Sequence, residues 1–113
     1  MPSEFSNAVA RIQELNDALR RFFIGDVVVV TAGFESLPAD RRRLILAKVR
    51  AFDQFDEDND PHGEHDFGLV EDDDVRCFWK IDYYDRDMEL LSPDPADPSV
   101  TTRVLTVMLA DEY

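Results

Sequence analysis

Phe67-Gly68-Leu69-Val70-Glu71-Asp72-Asp73-Asp74-Val75-Arg76-Cys77-Phe78-Trp79-Lys80-Ile81-Asp82-Tyr83-Tyr84 is the stretch that decides the fold. In its second arm Val75, Cys77, Trp79, Ile81 and Tyr83 alternate with Arg76, Phe78, Lys80, Asp82 and Tyr84. That two-residue period is a strand with one apolar face. With the arm at residues 67–70 and the acidic turn at 71–74, it makes a β-hairpin. The alternation makes Cys77, Trp79 and Tyr83 core residues.

Toward the N-terminus, Val27-Val28-Val29-Val30-Thr31 is entirely β-branched and bounded by Gly25-Asp26 and Ala32-Gly33. It is expected as a strand buried on both faces and central in the sheet. Before it, Phe5, Val9, Ile12, Leu15, Leu19 and Phe22 recur at three- and four-residue steps, predicting a helix over about residues 4 to 23. Ser3 or Ser6 can cap its start, Arg20 and Arg21 suit the negative end of its dipole, and Gly25 can stop it. After the strand, Ser36-Leu37-Pro38 opens a second helix with Pro38 in its first turn. Ile45, Val49 and Phe52 mark its inner face, and Arg41, Arg42, Arg43, Lys48 and Arg50 make it strongly basic. Toward the C-terminus, Pro93, Pro95 and Pro98 make residues 92–98 a loop. Residues 100–109 return as a final strand, with an amphipathic helix as the alternative. The order implies one compact α+β domain over residues 1–113, with two helices on one face of a mainly antiparallel sheet of about four strands.

A hydrophobic fraction of 44% with eight Phe separates the chain from disordered acidic tails. Cys77 is the single cysteine, so neither a disulfide framework nor a four-cysteine zinc site can form within one chain. Met1-Pro2-Ser3-Glu4 does not begin a basic-then-apolar leader, and the apolar runs are too short to span a membrane. A cytoplasmic protein without membrane contact is expected. The net charge of −13 is uneven: residues 1–50 carry eight Lys/Arg against six Asp/Glu, whereas residues 51–113 carry four against nineteen. A half at −15 repels phosphate backbones, which argues against direct nucleic-acid binding and for a basic protein surface or cations.

Residues 56 to 66, Asp-Glu-Asp-Asn-Asp-Pro-His-Gly-Glu-His-Asp, hold six carboxylates and both histidines. Asp56, Asp58 and Asp60 match the start of an EF-hand loop, but Pro61 stands where Gly is required and Phe67 where a bidentate Glu belongs. An irregular divalent-cation site remains a candidate, as does a transition-metal site using Asp60, His65 and Asp66. Acid–base chemistry could pair His65 with Glu64 or Asp66, with Tyr83 or Tyr84 nearby. The alternative is structural: Glu64, His65 and Asp66 tie the loop to the body through hydrogen bonds and ion pairs, with the arginines of the second helix as partners. Likewise Asn16, Asp17 and Arg20 are expected as a helix-surface network, and Lys80 and Asp82 as cross-strand partners of Arg103 or Glu89. No cofactor is predicted.

Several blocks together resemble a known bacterial family: Leu15-Asn16-Asp17 with Arg20, Thr31-Ala32-Gly33, Asn59-Asp60-Pro61, Gly63-Glu64-His65-Asp66-Phe67-Gly68, Lys80-Ile81-Asp82-Tyr83-Tyr84-Asp85, Ser92-Pro93-Asp94-Pro95 and residues 103–110. The family is the domain of unknown function 3768. The resemblance implies a bacterial cytoplasmic protein of a kind often met on plasmids and other mobile elements, and it brings no known activity. His62 departs from the family pattern, where another aromatic residue is usual.

Two functional expectations follow. The first is a non-enzymatic binding or inhibitory module whose acidic residues, Asp56, Glu57, Asp58, Asp60, Asp72, Asp73 and Asp74, dock on a basic protein surface, in its sharpest form as a nucleic-acid mimic. The second is a small metal-binding protein or enzyme centred on Gly63-Glu64-His65-Asp66.

Overall fold

The computed structural model describes the backbone from residue 4 and side chains from residue 7, through to Tyr113. The expected Ser3 and Ser6 caps and the Phe5 contact lie outside the described residues. Among those described, the elements are α1 (Glu4–Phe22), β1 (Val27–Val30), α2 (Ala32–Glu35), α3 (Ala39–Ala51), β2 (Phe67–Asp72), β3 (Val75–Tyr84) and β4 (Thr102–Leu109), closing on a 3-10 turn at Ala110–Glu112. No described helix is long and apolar enough to cross a membrane.

The hairpin forms as its alternation requires, with Val70 opposite Cys77 and Gly68 opposite Trp79. Its strands extend further into the acidic segment than expected, leaving Asp73-Asp74 to turn, with Asp73 at a φ of 53°. Small polar residues such as Asp tolerate that left-handed conformation better than most. Residues 102–109 are a strand, so the helical alternative falls. It pairs antiparallel with β3, placing Val107 opposite Trp79 and Leu105 opposite Ile81.

Strand order is β1-β4-β3-β2, and β1 runs parallel to β4. The sheet is therefore mixed, and the all-valine strand is at its edge rather than its centre. Val29 and Val30 are exposed, at 41% and 36%. The central place belongs to β4, where Thr102 to Leu105, Val107 and Met108 are all buried, covering both faces. Both strands meet the apolar requirement for a centre, but β4 is eight residues long and has a partner on each side, whereas four-residue β1 ends the sheet.

Three helices, not two, cover one face of the sheet. Leu19 of α1, Phe34 of α2, and Ile45 and Val49 of α3 meet Val70, Cys77, Trp79, Ile81, Leu105 and Val107 in one buried cluster. The additional helix, α2, is one turn capped by the Thr31 hydroxyl, and Pro38 stands at the N-cap of α3 rather than inside its first turn. Fully buried Trp79 is the largest member of the core, contributing about 3 kcal/mol of transfer free energy. It needs Gly68 opposite, because a Cβ there would lie 2.5 Å from the indole Nε1 and 2.9 Å from Phe52.

The α1 stripe differs at two places. Phe22 is exposed while Phe23, at a φ of 53° beyond the helix end, packs on the core. Asn16 and Arg20, expected on the surface, are both fully buried. They share the inward face with Ile12 and Leu19, four residues from one another, so turning those leucine and isoleucine side chains inward carries the polar pair with them.

Candidate functional site

The buried face of α1 meets the loop at residues 60–66. Gln13 Nε2 donates to Gly63 O at 2.7 Å. Asn16 Nδ2 donates to Glu64 O at 3.0 Å and to the Tyr83 hydroxyl at 2.8 Å, while Asn16 Oδ1 accepts from Arg103 Nε at 2.8 Å. The Tyr83 hydroxyl in turn donates to Glu64 Oε1 at 2.7 Å. One asparagine thereby joins a helix, a loop and two strands, with every polar atom of its side chain engaged.

On the next residue, Asp17 Oδ1 accepts from Arg20 Nη2 at 3.0 Å and faces His65 Nδ1 at 2.9 Å. Arg20 Nη1 donates to the carbonyls of Val49 and Arg50, both at 3.1 Å, and so satisfies the last turn of α3. His65 Nε2 is 3.8 Å from Asp60 Oδ2, and the His65 amide donates to Asp60 Oδ1 at 3.1 Å. Carboxylates thus face both imidazole nitrogens. The ring lies flat on Phe55, with centroids 3.8 Å apart and planes within 5°. His65 sits at a φ of 57° and Gly63 at 69°. These left-handed residues accompany a path that leaves the Gly63 and Glu64 carbonyls as acceptors for α1.

Burial shapes the electrostatics. It raises the Asp66 carboxyl above the usual aspartate range, helped by the neighbouring charges of Glu64 and Asp60. Burial and the hydrogen bond to Glu64 push the Tyr83 phenol upward, which keeps it a neutral donor. Burial also lowers the Arg20 and Arg103 guanidinium values, though arginine stays charged.

The expected site residues separate into four places. Glu64, His65 and Asp60 gather around α1, where the partners of Glu64 and His65 are Asn16, Asp17 and Tyr83 rather than the arginines of α3, while the Asp66 carbonyl accepts the Ile81 amide at 2.8 Å. Lys80, Asp82 and Tyr84 alternate with Tyr83 and therefore lie on the far face of the sheet. There Lys80 Nζ pairs with Asp82 at 2.9 Å instead of with Arg103 or Glu89, and Tyr84 stands opposite Thr102. The Lys80 ammonium is held above its usual range chiefly by the Asp82 hydrogen bond.

The acidic binding candidates also divide. Asp56, Glu57 and Asp58 are exposed, and one oxygen of Asp56 accepts the amides of Asp58 and Asn59. Asp72 at the hairpin is held by Arg41 at 3.2 Å and Lys48 at 3.7 Å, with Asp73 3.3 Å and Asp74 4.0 Å from Arg41. Among the described residues, no three His, Cys, Asp or Glu side chains come together in a way that could hold a metal ion.

Tyr83 was expected near this cluster, whereas Gln13, Asn16, Asp17 and Arg103 are what sequence reasoning left out of the loop's setting. Their signal was present: Asn16 and Arg20 interrupt an apolar stripe at stripe positions, the pattern of a buried polar contact.

The chain belongs to the family described as protein of unknown function DUF3768, which it matches over residues 30–112. No curated protein and no solved structure matches it.

Proposed function

We propose that this member of the DUF3768 family is a non-enzymatic binding module that docks an acidic surface onto a basic partner. The observation that carries the reading is where the cations go. Arg20 and Arg103 are buried, and Arg41, Arg42, Lys48 and Lys80 lie within 2.9–3.7 Å of carboxylates of the same chain. Asp53, Asp56, Glu57 and Asp58 are exposed and form no ion pair among the described residues. Internal use of the positive charge leaves an uncompensated negative field to steer a cationic partner. In its sharper form, these carboxylates together with Asp73 and Asp74 stand in for phosphates at the nucleic-acid site of a host or element-encoded protein.

The His65 cluster supports a lock more than a catalyst. Both ring nitrogens face carboxylates, Phe55 covers one ring face, and His65 lines none of the three principal cavities.

The test is a titration of the purified protein against a basic partner recovered from its cell by crosslinking, at rising sodium chloride. Affinity is expected to fall steeply with salt and by about tenfold in a Glu57→Gln/Asp58→Asn variant. Affinity indifferent to salt would overturn the reading.

A further inference from the structure

We propose a second binding site, for a small organic anion with an apolar body, in the cavity between α1, the α1–β1 turn and the loop after β3. The cavity measures about 300 Å³, at the lower end of ligand-binding clefts. Leu15, Ala18, Leu19, Ile24 and Pro98 form the apolar part of its lining, and Asp26, Arg86 and Arg103 the charged part. Two cations and one carboxylate make it net positive in a chain of net charge −13. The other two principal cavities present Asp74, Arg76 and Asp111, or His62 and Glu64, and are not.

The second observation is the state of Arg103, which is 2% exposed. Its Nε donates to Asn16 and its Nη2 to the Pro95 carbonyl, its guanidinium carbon lies over the Tyr83 ring at 5.2 Å from the centroid, and its buried Nη1 has no hydrogen-bond partner among the described residues. That nitrogen is closed to solvent-sized groups, so Arg103 contributes positive potential to the cavity wall rather than an open contact. Arg20 Nε also lacks a partner, but Arg20 packs between the rings of Phe55 and Trp79 and lines none of the three cavities. At the mouth, the half-exposed Arg86 side chain donates from Nη1 to the Thr101 carbonyl at 3.1 Å and is 3.9 Å from Asp26, and Asp26 Oδ2 already accepts the Arg103 amide. Arg86 can therefore turn from Asp26 to meet an incoming carboxylate or phosphate at the mouth, while the apolar tail lies against Leu15, Ala18, Ile24 and Pro98.

The experiment titrates the full chain, in low-salt buffer, with hexanoate, hexyl phosphate and inorganic phosphate, following backbone NMR shifts and binding heat. Saturable binding of a tailed anion is expected, with shifts centred on Gly25 and Arg86. Arg86→Gln, which removes the exposed cation, and Ala18→Leu, which fills the cavity from the helix surface, should each weaken it about fivefold with the native backbone NMR pattern retained. Asp26→Asn, which keeps an acceptor for the Arg103 amide, should strengthen it. Preference between hexanoate and hexyl phosphate assigns the head group. No saturable binding, inorganic phosphate binding as well as the tailed anions, or indifference to both Arg86→Gln and Ala18→Leu would overturn the proposal. Each outcome is independent of Glu57 and Asp58, so the docking reading stands or falls separately.

Discussion

Residues 56–59 and 60–66 are consecutive in the chain and both acidic, but Asp56, Glu57 and Asp58 stand in solvent while Asp60 is buried and His65 is wedged between carboxylates. The first group bonds to its own turn: Asp56 accepts from Asp58 and Asn59, and Asn59 reaches back to the Gln54 carbonyl. The second bonds to α1 and β3 through Gln13, Asn16, Asp17 and Tyr83. Acidity alone therefore does not determine a segment's role. What decides it is whether donors elsewhere in the fold reach it, and here one helix face supplies them.

The largest perturbation of that contrast is Arg20→Ala, which strips Asp17 and the Val49 and Arg50 carbonyls of their donor in a buried setting. Urea denaturation should show a loss of about 3 kcal/mol. A loss below about 1 kcal/mol would mean that the pinned half does not depend on α1. Next, His65→Ala removes the Phe55 stack and the Asp17 contact, and should cost about 1–2 kcal/mol. Hydrogen exchange at residues 63–66 should speed up while residues 56–58 stay as they are; equal change in both halves would erase the comparison.

A smaller effect comes from Asp66 and is sensitive to pH. Its folded-state carboxyl holds its proton more tightly than that of the unfolded chain, chiefly through burial. The stability it contributes is therefore complete below the ordinary aspartate range and lost as pH rises through the folded-state value. Asp66→Asn should raise the midpoint of unfolding at neutral pH, and the gain should vanish in acid; a gain that persists in acid would assign it to packing instead. Smallest of all, Glu57→Gln with Asp58→Asn should change stability by less than about 0.5 kcal/mol, since both side chains face water. A larger change in a melting scan would show that the free half is also part of the fold.

Much of this arrangement was legible in residue order. The hairpin register follows from the alternation of Val75, Cys77, Trp79, Ile81 and Tyr83, and α1 follows from its three- and four-residue steps. His65 was legible as a candidate lock, but its partners were not. Asn16 meets Tyr83 67 residues away and Arg103 87 residues away, and nothing local to Asn16 names either. Polar residues on a helix are usually solvated, so Asn16, Asp17 and Arg20 read as surface until the loop and two strands close over them.

By itself, the sequence determined the local periodicities, the loops made by proline, the lone buried Cys77 and the imbalance of charge, because each depends on neighbours a few residues apart. Tertiary structure alone decided that β4 and not all-valine β1 lies at the centre of the sheet, that Lys80 pairs with Asp82, and that α1 rather than α3 holds the acidic loop. Those outcomes depend on which distant donors and apolar faces satisfy one another at once. Strand order and buried hydrogen bonding are therefore properties of the closed fold, whereas a period of two or of 3.6 is already complete in a single element.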